Sequence, residues 1–252
     1  MDQSNIKNYL SKEQEYFASI EDYFHQSTSS FSEKMHAFPR FIPRQAISYF
    51  MVRHQIFQRV LGLHGSILDF GIFRGSSFFT WQQLSAILEP YNHLRKIVGF
   101  DSFEGFSAIT EVDQGGEEFP LKSEGGMAFP RGEVELERGV ELFDMNRPIG
   151  HVGKASIVKG DLPESFNKYL KEHPETIVAL ANFGLGLHAP TYGCLVALKS
   201  RLQRGSVLVF EDLNQALWPG ESQALYEVFE PREILLERNP ICPHISWLVY
   251  QP

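Results

Sequence analysis

Residues 65–77 read "GSILDFGIFRGSS". Ile67, Leu68 and Phe70 make a short apolar run around one acid, Asp69, and a glycine turn from Gly71 to Gly75 follows. Ser76 and Ser77 then open "FFTWQQLSAILEP", a helical run stopped by Pro90. Buried strand, glycine turn and helix, in that order, begin a βα unit. The unit recurs downstream. "RKIVGFDSFEGF" (95–106) is a second strand ending in an acid, and "GEVELERGVELFDMN" (132–146) is a helix. "KASIVKGDLPESFNKYLKEH" (154–173) is a strand, a turn and a helix. "TIVALANFGLG" (176–186) is a strand, and "PTYGCLVALKSRLQRG" (190–205) a helix with Gly205 just past its end. "SVLVFEDLN" (206–214) is another strand and "GESQALYEVF" (220–229) another helix; "REILLERNP" (232–240) and "HISWLVY" (244–250) are the last two strands. Such alternation implies a mostly parallel sheet with helices on both faces and an antiparallel pair added at one edge, compatible with a Rossmann-like nucleotide-binding core.

The 252 residues, 43% of them hydrophobic, suffice for one large domain with a helical extension. We place the extension at residues 1–60 and the main domain at 61–252. A formal charge of -8 argues against a nucleic-acid or membrane-surface partner. The two cysteines, Cys194 and Cys242, have no metal-ligand spacing and give no disulfide framework, so a reducing, cytoplasmic setting is expected. The polar, acidic start "MDQSNIKNYLSKEQEYF" is not a signal peptide, and no apolar run approaches the ~20 residues of a membrane span. Aromatic and aliphatic residues among the charges of residues 1–36 suggest partner-facing helices and a homo-oligomer. Residues 107–132, rich in Gly, Glu, Ser and Pro, are too long for an ordinary connection and are expected to form a lid.

The glycine turn has the spacing G-x-x-x-G, not the G-x-G-x-x-G of dinucleotide sites, and an acid precedes it. Asp69 beside such a turn would repel a pyrophosphate and suits a cationic ligand such as S-adenosylmethionine; an ordinary βα turn capped by Asp69 is the alternative. Asp101 ends the next strand, where an acid can accept both ribose hydroxyls, and Ser102 and Phe103 follow it beside the adenine. Asp161 ends a third strand within reach of an adenine amino group. Each acid alone could be a helix or turn cap. Three at successive strand ends favour a ligand.

"ILDFGIFRGSSFFTWQQLSAILEP", "KIVGFDSFEGF", "NRPIGHVGKASIVKGD" and "LWPGE" resemble the macrocin O-methyltransferase family from about Phe38 to the C-terminus. The resemblance implies a class I methyltransferase fold with a seven-stranded sheet. It also implies an S-adenosylmethionine cofactor that leaves as S-adenosylhomocysteine, and a small glycosyl acceptor, the hydroxyl of a nucleotide- or natural-product-linked deoxysugar. Asp69, Gly71, Gly75 and Asp101 would bind the cofactor, with Arg74, Ser76, Ser102 and Phe103 beside them and Asp161 and Leu162 near the adenine. Family members carry a "DxDxYEPT"-like segment whose acids help hold a divalent cation, usually Mg2+. This chain has "GLGLHAPT" there: Gly184 and Gly186 replace the acids, His188 the tyrosine and Ala189 the glutamate. Only the strand-end pair Glu211 and Asp212 remains, so no metal ligand set is assigned and tight Mg2+ binding is not expected. The catalytic set is then His188 as general base with Glu211 and Asp212. His64, His93, His151 and His244 have weaker claims. Trp218 and Glu221 are candidates for a sugar pocket, and Arg40 and Arg44 for an acceptor phosphate. A cofactor-binding homologue with another reaction, or with none, is the competing reading.

Overall fold

The computed structural model describes residues 3–115 and 121–251, with side chains from Lys12 onward. The chain divides into two compact units, Met1–Tyr49 and Phe50–Pro252. In the first, α1 (Gln3–Gln26) is followed by α2 (Phe31–His36), which starts in a capping box where Ser30 and Glu33 exchange hydrogen bonds. Phe41 closes this unit against the rings of Tyr23 and Phe24, at centroid distances of 5.5 and 5.2 Å. Arg40 donates to the Tyr23 hydroxyl and lies over the Phe41 ring. Phe17, Phe31 and Phe38 stay exposed. Helix α3 (Arg44–Val60) runs from the first unit into the second and buries Val52, Arg53, Ile56, Phe57 and Val60.

The second unit is built on seven strands: β1 (Ser66–Phe70), β2 (Ile97–Asp101), β3 (Ala155–Lys159), β4 (Val178–Phe183), β5 (Leu202–Phe210), β6 (Glu237–Asn239) and β7 (Cys242–Val249). Their order is β3-β2-β1-β4-β5-β7-β6; the first five are parallel and β7 is antiparallel to both β5 and β6. This is the Rossmann-like class I methyltransferase fold. Alternation along the strands assigns the two faces. Leu68, Phe70, Val98, Phe100, Ala181, Phe183, Leu208 and Phe210 point to the face covered by α6 (Glu164–Glu172), α7 (His188–Leu198) and α8 (Pro219–Val228). Ile67, Asp69, Ile97 and Gly99 point the other way. That face is covered by the end of α3, by α4 (Ser76–Leu88) and by α5 (Gly132–Met145); Phe57 of α3 stacks on Trp81 of α4, and Phe79 of α4 meets Phe143 of α5.

Four neighbouring strands carry a phenylalanine at the same level near their carboxyl ends. Phe70, Phe100, Phe183 and Phe210 are paired in register, and their rings form a row across the sheet with neighbouring centroids 5.0–5.1 Å apart. Phe166 of α6 packs edge-on against Phe70 and Phe100. Full burial of each ring is worth about 1.5–3 kcal/mol, and each favourable ring pair adds ~0.5–1.5 kcal/mol.

Two boundaries differ from the pattern read in the sequence. Helix α7 stops at Leu198, and Gly205 lies within β5 instead of beyond a helix. Residues between Leu202 and Val207 bulge out, and the Ser206 hydroxyl closes the bulge by accepting from Gln203 N and donating to Val178 O. The run 232–240 pairs only over Glu237–Asn239, because a turn at Glu230–Glu233 precedes it and Leu235 faces solvent. Cys194 and Cys242 are buried free thiols. Among the described residues no helix is long and apolar enough to cross a membrane.

The lower end of the sheet is tied by Arg95, which is 1% exposed. Its guanidinium donates to Glu89 at 2.8 Å, to Gly65 O at 2.7 Å, and to Val60 O and Leu63 O at 2.9 and 3.0 Å. One side chain thus joins the last turn of α3, the entry to β1 and the end of α4, and satisfies carbonyls that the end of α3 leaves open. Arg95→Met should lower unfolding stability by about 3–5 kcal/mol, because Glu89 is left buried without its partner. Chemical denaturation measures this; a loss under about 1 kcal/mol would mean that the pair is dispensable.

Candidate functional site

The strand order reverses between β1 and β4, and the crevice beyond the carboxyl ends there is where open α/β sheets bind ligands. A cavity of about 240 Å³ occupies it. Gly71 and Phe73 line it after β1, Asp101 and Ser102 after β2, Asp161 and Leu162 after β3, Gly184 to Leu187 after β4, and Asp212 after β5. Phe106, Met127, Pro190 and Trp218 supply apolar wall. Gly71 has φ +81°, and a β-carbon on it would come within 2.5 Å of the Gly184 carbonyl, so backbone meets backbone at the cavity floor.

Asp101 is held firmly. Its Oδ2 accepts from Phe73 N and its Oδ1 from Phe103 N, both at 2.7 Å. Phe73 and Phe103 have φ 45° and 59°, left-handed values that L-residues adopt at a cost, and the carboxylate compensates both turns. Burial pushes the Asp101 pKa up while those amides pull it back.

Not every residue expected at the cofactor reaches the cavity. Asp69 lies on the opposite side of β1 from the Phe70 ring and is fully buried, hydrogen-bonded to Asn182 and Ser77, with its pKa pushed up to about 7 by burial and by Glu211. Gly75 caps α4 with φ 83°, and Ser76 is the first residue of that helix. Arg74 lies over the rings of Phe73 and Phe129, and Phe103 is buried. These five shape the turn from beneath; Gly71, Asp101, Ser102, Asp161 and Leu162 face the cavity.

Acids from β1, from the end of β5 and from α8 are joined by hydrogen bonds through Asn182 and backbone amides. Glu211 Oε1 accepts from Arg53 Nη2 at 2.7 Å and from Asn182 Nδ2 at 3.0 Å, and the same Asn182 amide donates to Asp69 Oδ1 at 2.8 Å. Glu221, fully buried on α8, accepts from Asp212 N at 3.0 Å and from Gly186 N at 3.3 Å, tying the two loops together. Burial and the charge of Glu211 raise the pKa of Asp212, and burial and the charge of Asp212 raise that of Glu221. Of this set, Asp212 alone lines the cavity.

His188 is placed differently. It begins α7, stacks on Tyr192 at 5.8 Å, and directs Nε2 to Glu227 at 3.1 Å; it is not among the cavity residues. Its backbone N–H donates to Asp113 Oδ1 at 2.6 Å, while Asp113 Oδ2 accepts from Thr110 N and Oγ1 at 3.0 and 2.7 Å. Asp113, 1% exposed, thus pins the loop after β2 to the start of α7. The sequence reading passed over this residue; its signal is the capping-box spacing T-x-x-D at 110–113. Of the expected lid, residues 116–120 lie outside the described residues. Elsewhere it folds back on 103–106, with Phe106 N donating to Gly126 O and Phe129 N to Phe103 O, and Phe106 and Lys122 packing on the Trp218 ring.

The site does not fit a divalent cation. Glu211 is already matched by Arg53 and Asn182, Glu221 by two backbone amides, and Gly184 and Gly186 bring no donor atoms. Among the described residues no three His, Cys, Asp or Glu side chains are grouped to hold a metal. It does fit a nucleoside-bearing cation: carboxylates at three strand ends surround one crevice whose floor is glycine backbone.

No protein-family model and no curated protein matches the chain. Among solved structures, it is similar to the calicheamicin methyltransferase CalS11, with 30% identity and a TM-score of 0.91 over 96% of this chain and 93% of that one. A second, apo structure, described as the TDP-rhamnose 3'-O-methyltransferase CalS11 of calicheamicin biosynthesis, aligns at 28% identity and a TM-score of 0.82 over 96% and 95% of the two chains. The O-methyltransferase NovP shares the fold at 15% identity and a TM-score of 0.54 over 82% and 81%. Topology, the strand-end crevice and this likeness over nearly the whole length agree, and the chain belongs to the macrocin-like family of S-adenosylmethionine-dependent sugar O-methyltransferases.

Proposed function

We propose that this protein methylates a hydroxyl of a nucleotide-linked deoxysugar and that Asp212 takes the hydroxyl proton. The observation that carries the reading is the convergence of Asp101, Asp161 and Asp212, from the ends of β2, β3 and β5, on one cavity. Likeness to a TDP-rhamnose 3'-O-methyltransferase over 96% of the chain supports a sugar nucleotide as acceptor. It also favours a working enzyme over a homologue that only binds the cofactor.

S-adenosylmethionine supplies an electrophilic methyl group. In this reading Asp101 would accept the ribose hydroxyls, the Gly71 backbone would lie along the amino-acid part, and Asp161 with Leu162 would border the adenine. Leu185, Leu187, Pro190 and Met127 keep water from the reacting centre, and the Trp218 ring offers a face to the sugar. Asp212, buried beside Glu221, accepts the proton as the acceptor oxygen is alkylated. His188 is engaged with Glu227 outside the cavity, which favours Asp212 over it as base. The loop pinned by Asp113 closes over the acceptor. Exposed aromatic residues of the first unit support self-association, and the two buried free thiols support a reducing, cytoplasmic setting.

Asp101→Ala should weaken S-adenosylmethionine binding by about 1–3 kcal/mol in calorimetry, the loss of charge-assisted bonds to ribose. Unchanged affinity in a folded variant would remove Asp101 from the site. Asp212→Asn should lower kcat by about 10²–10⁴-fold with cofactor affinity retained. His188→Ala should cost less than about tenfold, as for a group outside the reacting centre; the reverse ranking would make His188 the base. Asp113→Ala should let a protease cut within 107–132 faster than in the parent chain, and cofactor plus acceptor should slow that cut. Equal cutting in both proteins would detach Asp113 from loop closure.

A further inference from the structure

Arg53 is 3% exposed, and it sits on the stripe of α3 that buries Ile56, Phe57 and Val60. An arginine on an apolar stripe needs a partner, and its Nη2 contacts Glu211 Oε1 at 2.7 Å. Glu211 belongs to the acid pair that remains of the metal-ligand pattern carried by the resembling methyltransferases. The same oxygen also accepts from Asn182, so a cation approaching Glu211 would meet both a fixed positive charge and an occupied ligand atom. At the neighbouring strand end, Gly184 leaves room: a β-carbon there would touch nothing closer than 3.5 Å and would lie 3.8 Å from Glu211 Cδ.

We infer that Arg53 stands in for the divalent cation: it supplies the positive charge that holds Glu211 behind Gly184, whose backbone lines the crevice, and the site therefore works without a metal. Arg53 is here a positioning residue acting through Glu211. The guanidinium keeps its charge throughout the working pH range and cannot dissociate as a bound ion can. Three features agree with this. Glu211 is ion-paired to Arg53, Asp212 is left as the carboxylate facing the cavity, and the two positions that would complete a ligand set are glycines. The inference rests on the proposed function for the identity of the site, but its main test needs no turnover.

The test is Mn2+ binding read by the electron paramagnetic resonance signal of the free ion, on the full chain and on three variants. The parent chain and Gly184→Asp should bind Mn2+ weakly, because Arg53 still occupies Glu211. Gly184→Asp combined with Arg53→Met should bind it at least tenfold more tightly than Gly184→Asp alone. Equal affinity of the single and double variants would overturn the inference. If the double variant fails to fold even with Mn2+ present, the parent chain decides. Mn2+ binding to it that is lost in Glu211→Gln overturns the inference, and no binding supports it. Methyl transfer should keep its rate in EDTA, and activity abolished by EDTA and restored by Mg2+ would also overturn it. A chain with no methyl transfer under any condition would count against the proposed function, while the Mn2+ measurements would still test Arg53.

Discussion

The row of phenylalanines across the sheet fixes where the chemistry stands. Phe70, Phe100, Phe183 and Phe210 lie at one level in register, and the next residue in each strand is Gly71, Asp101, Gly184 or Glu211. A parallel sheet offers no turn to set such alignment locally; side-chain packing between neighbouring strands must do it. The stacked rings, with Phe166 packed edge-on against two of them, bring four separate strand ends to one level. Asp101 is then close enough to be caught by Phe73 N, and Gly184 close enough to meet Gly71.

Opposite that row runs a buried polar chain. Asp69, Asn182 and Glu211 point to the α3 and α4 face, and Arg53 ends the chain. Groups with this much charge are costly inside a protein unless each is paired. Burial and Glu211 push the Asp69 pKa up to about 7, while Ser77, Asn182 and the charge of Arg53 pull it back. The arrangement does little for stability and much for position, because it fixes Glu211 from behind while Glu221 fixes Asp212 from the side.

Much of this could be read in the sequence. Apolar runs, glycine turns and helical spacing gave the βα order, and Asp101 and Asp161 announced themselves as strand-end acids. What stayed hidden depended on faces and on distant partners. Period-two alternation puts Asp69 on the side away from Phe70, which separates it from the cavity despite the adjacent glycine turn. Arg53 repeats at i, i+3, i+4 and i+7 with Ile56, Phe57 and Val60, a sign of burial, but its partner lies 158 residues on and nothing local names it. The recurrence of phenylalanine before a glycine or an acid, in "DFG", "GFD", "NFG" and "VFE", was also visible in the sequence. Helix α7 and β5 were misjoined because a bulge closed by a serine hydroxyl has no periodic signature.

Asp113 carries one more consequence. Its two oxygens take three hydrogen bonds, two from Thr110 and one from His188 N, in a place water does not reach. Two of the three lie within the 110–113 turn, and the third alone reaches α7; losing it would strand a buried carboxylate oxygen and a bare helix amide together. The tie between the loop after β2 and the start of α7 is thus concentrated in one carboxylate oxygen.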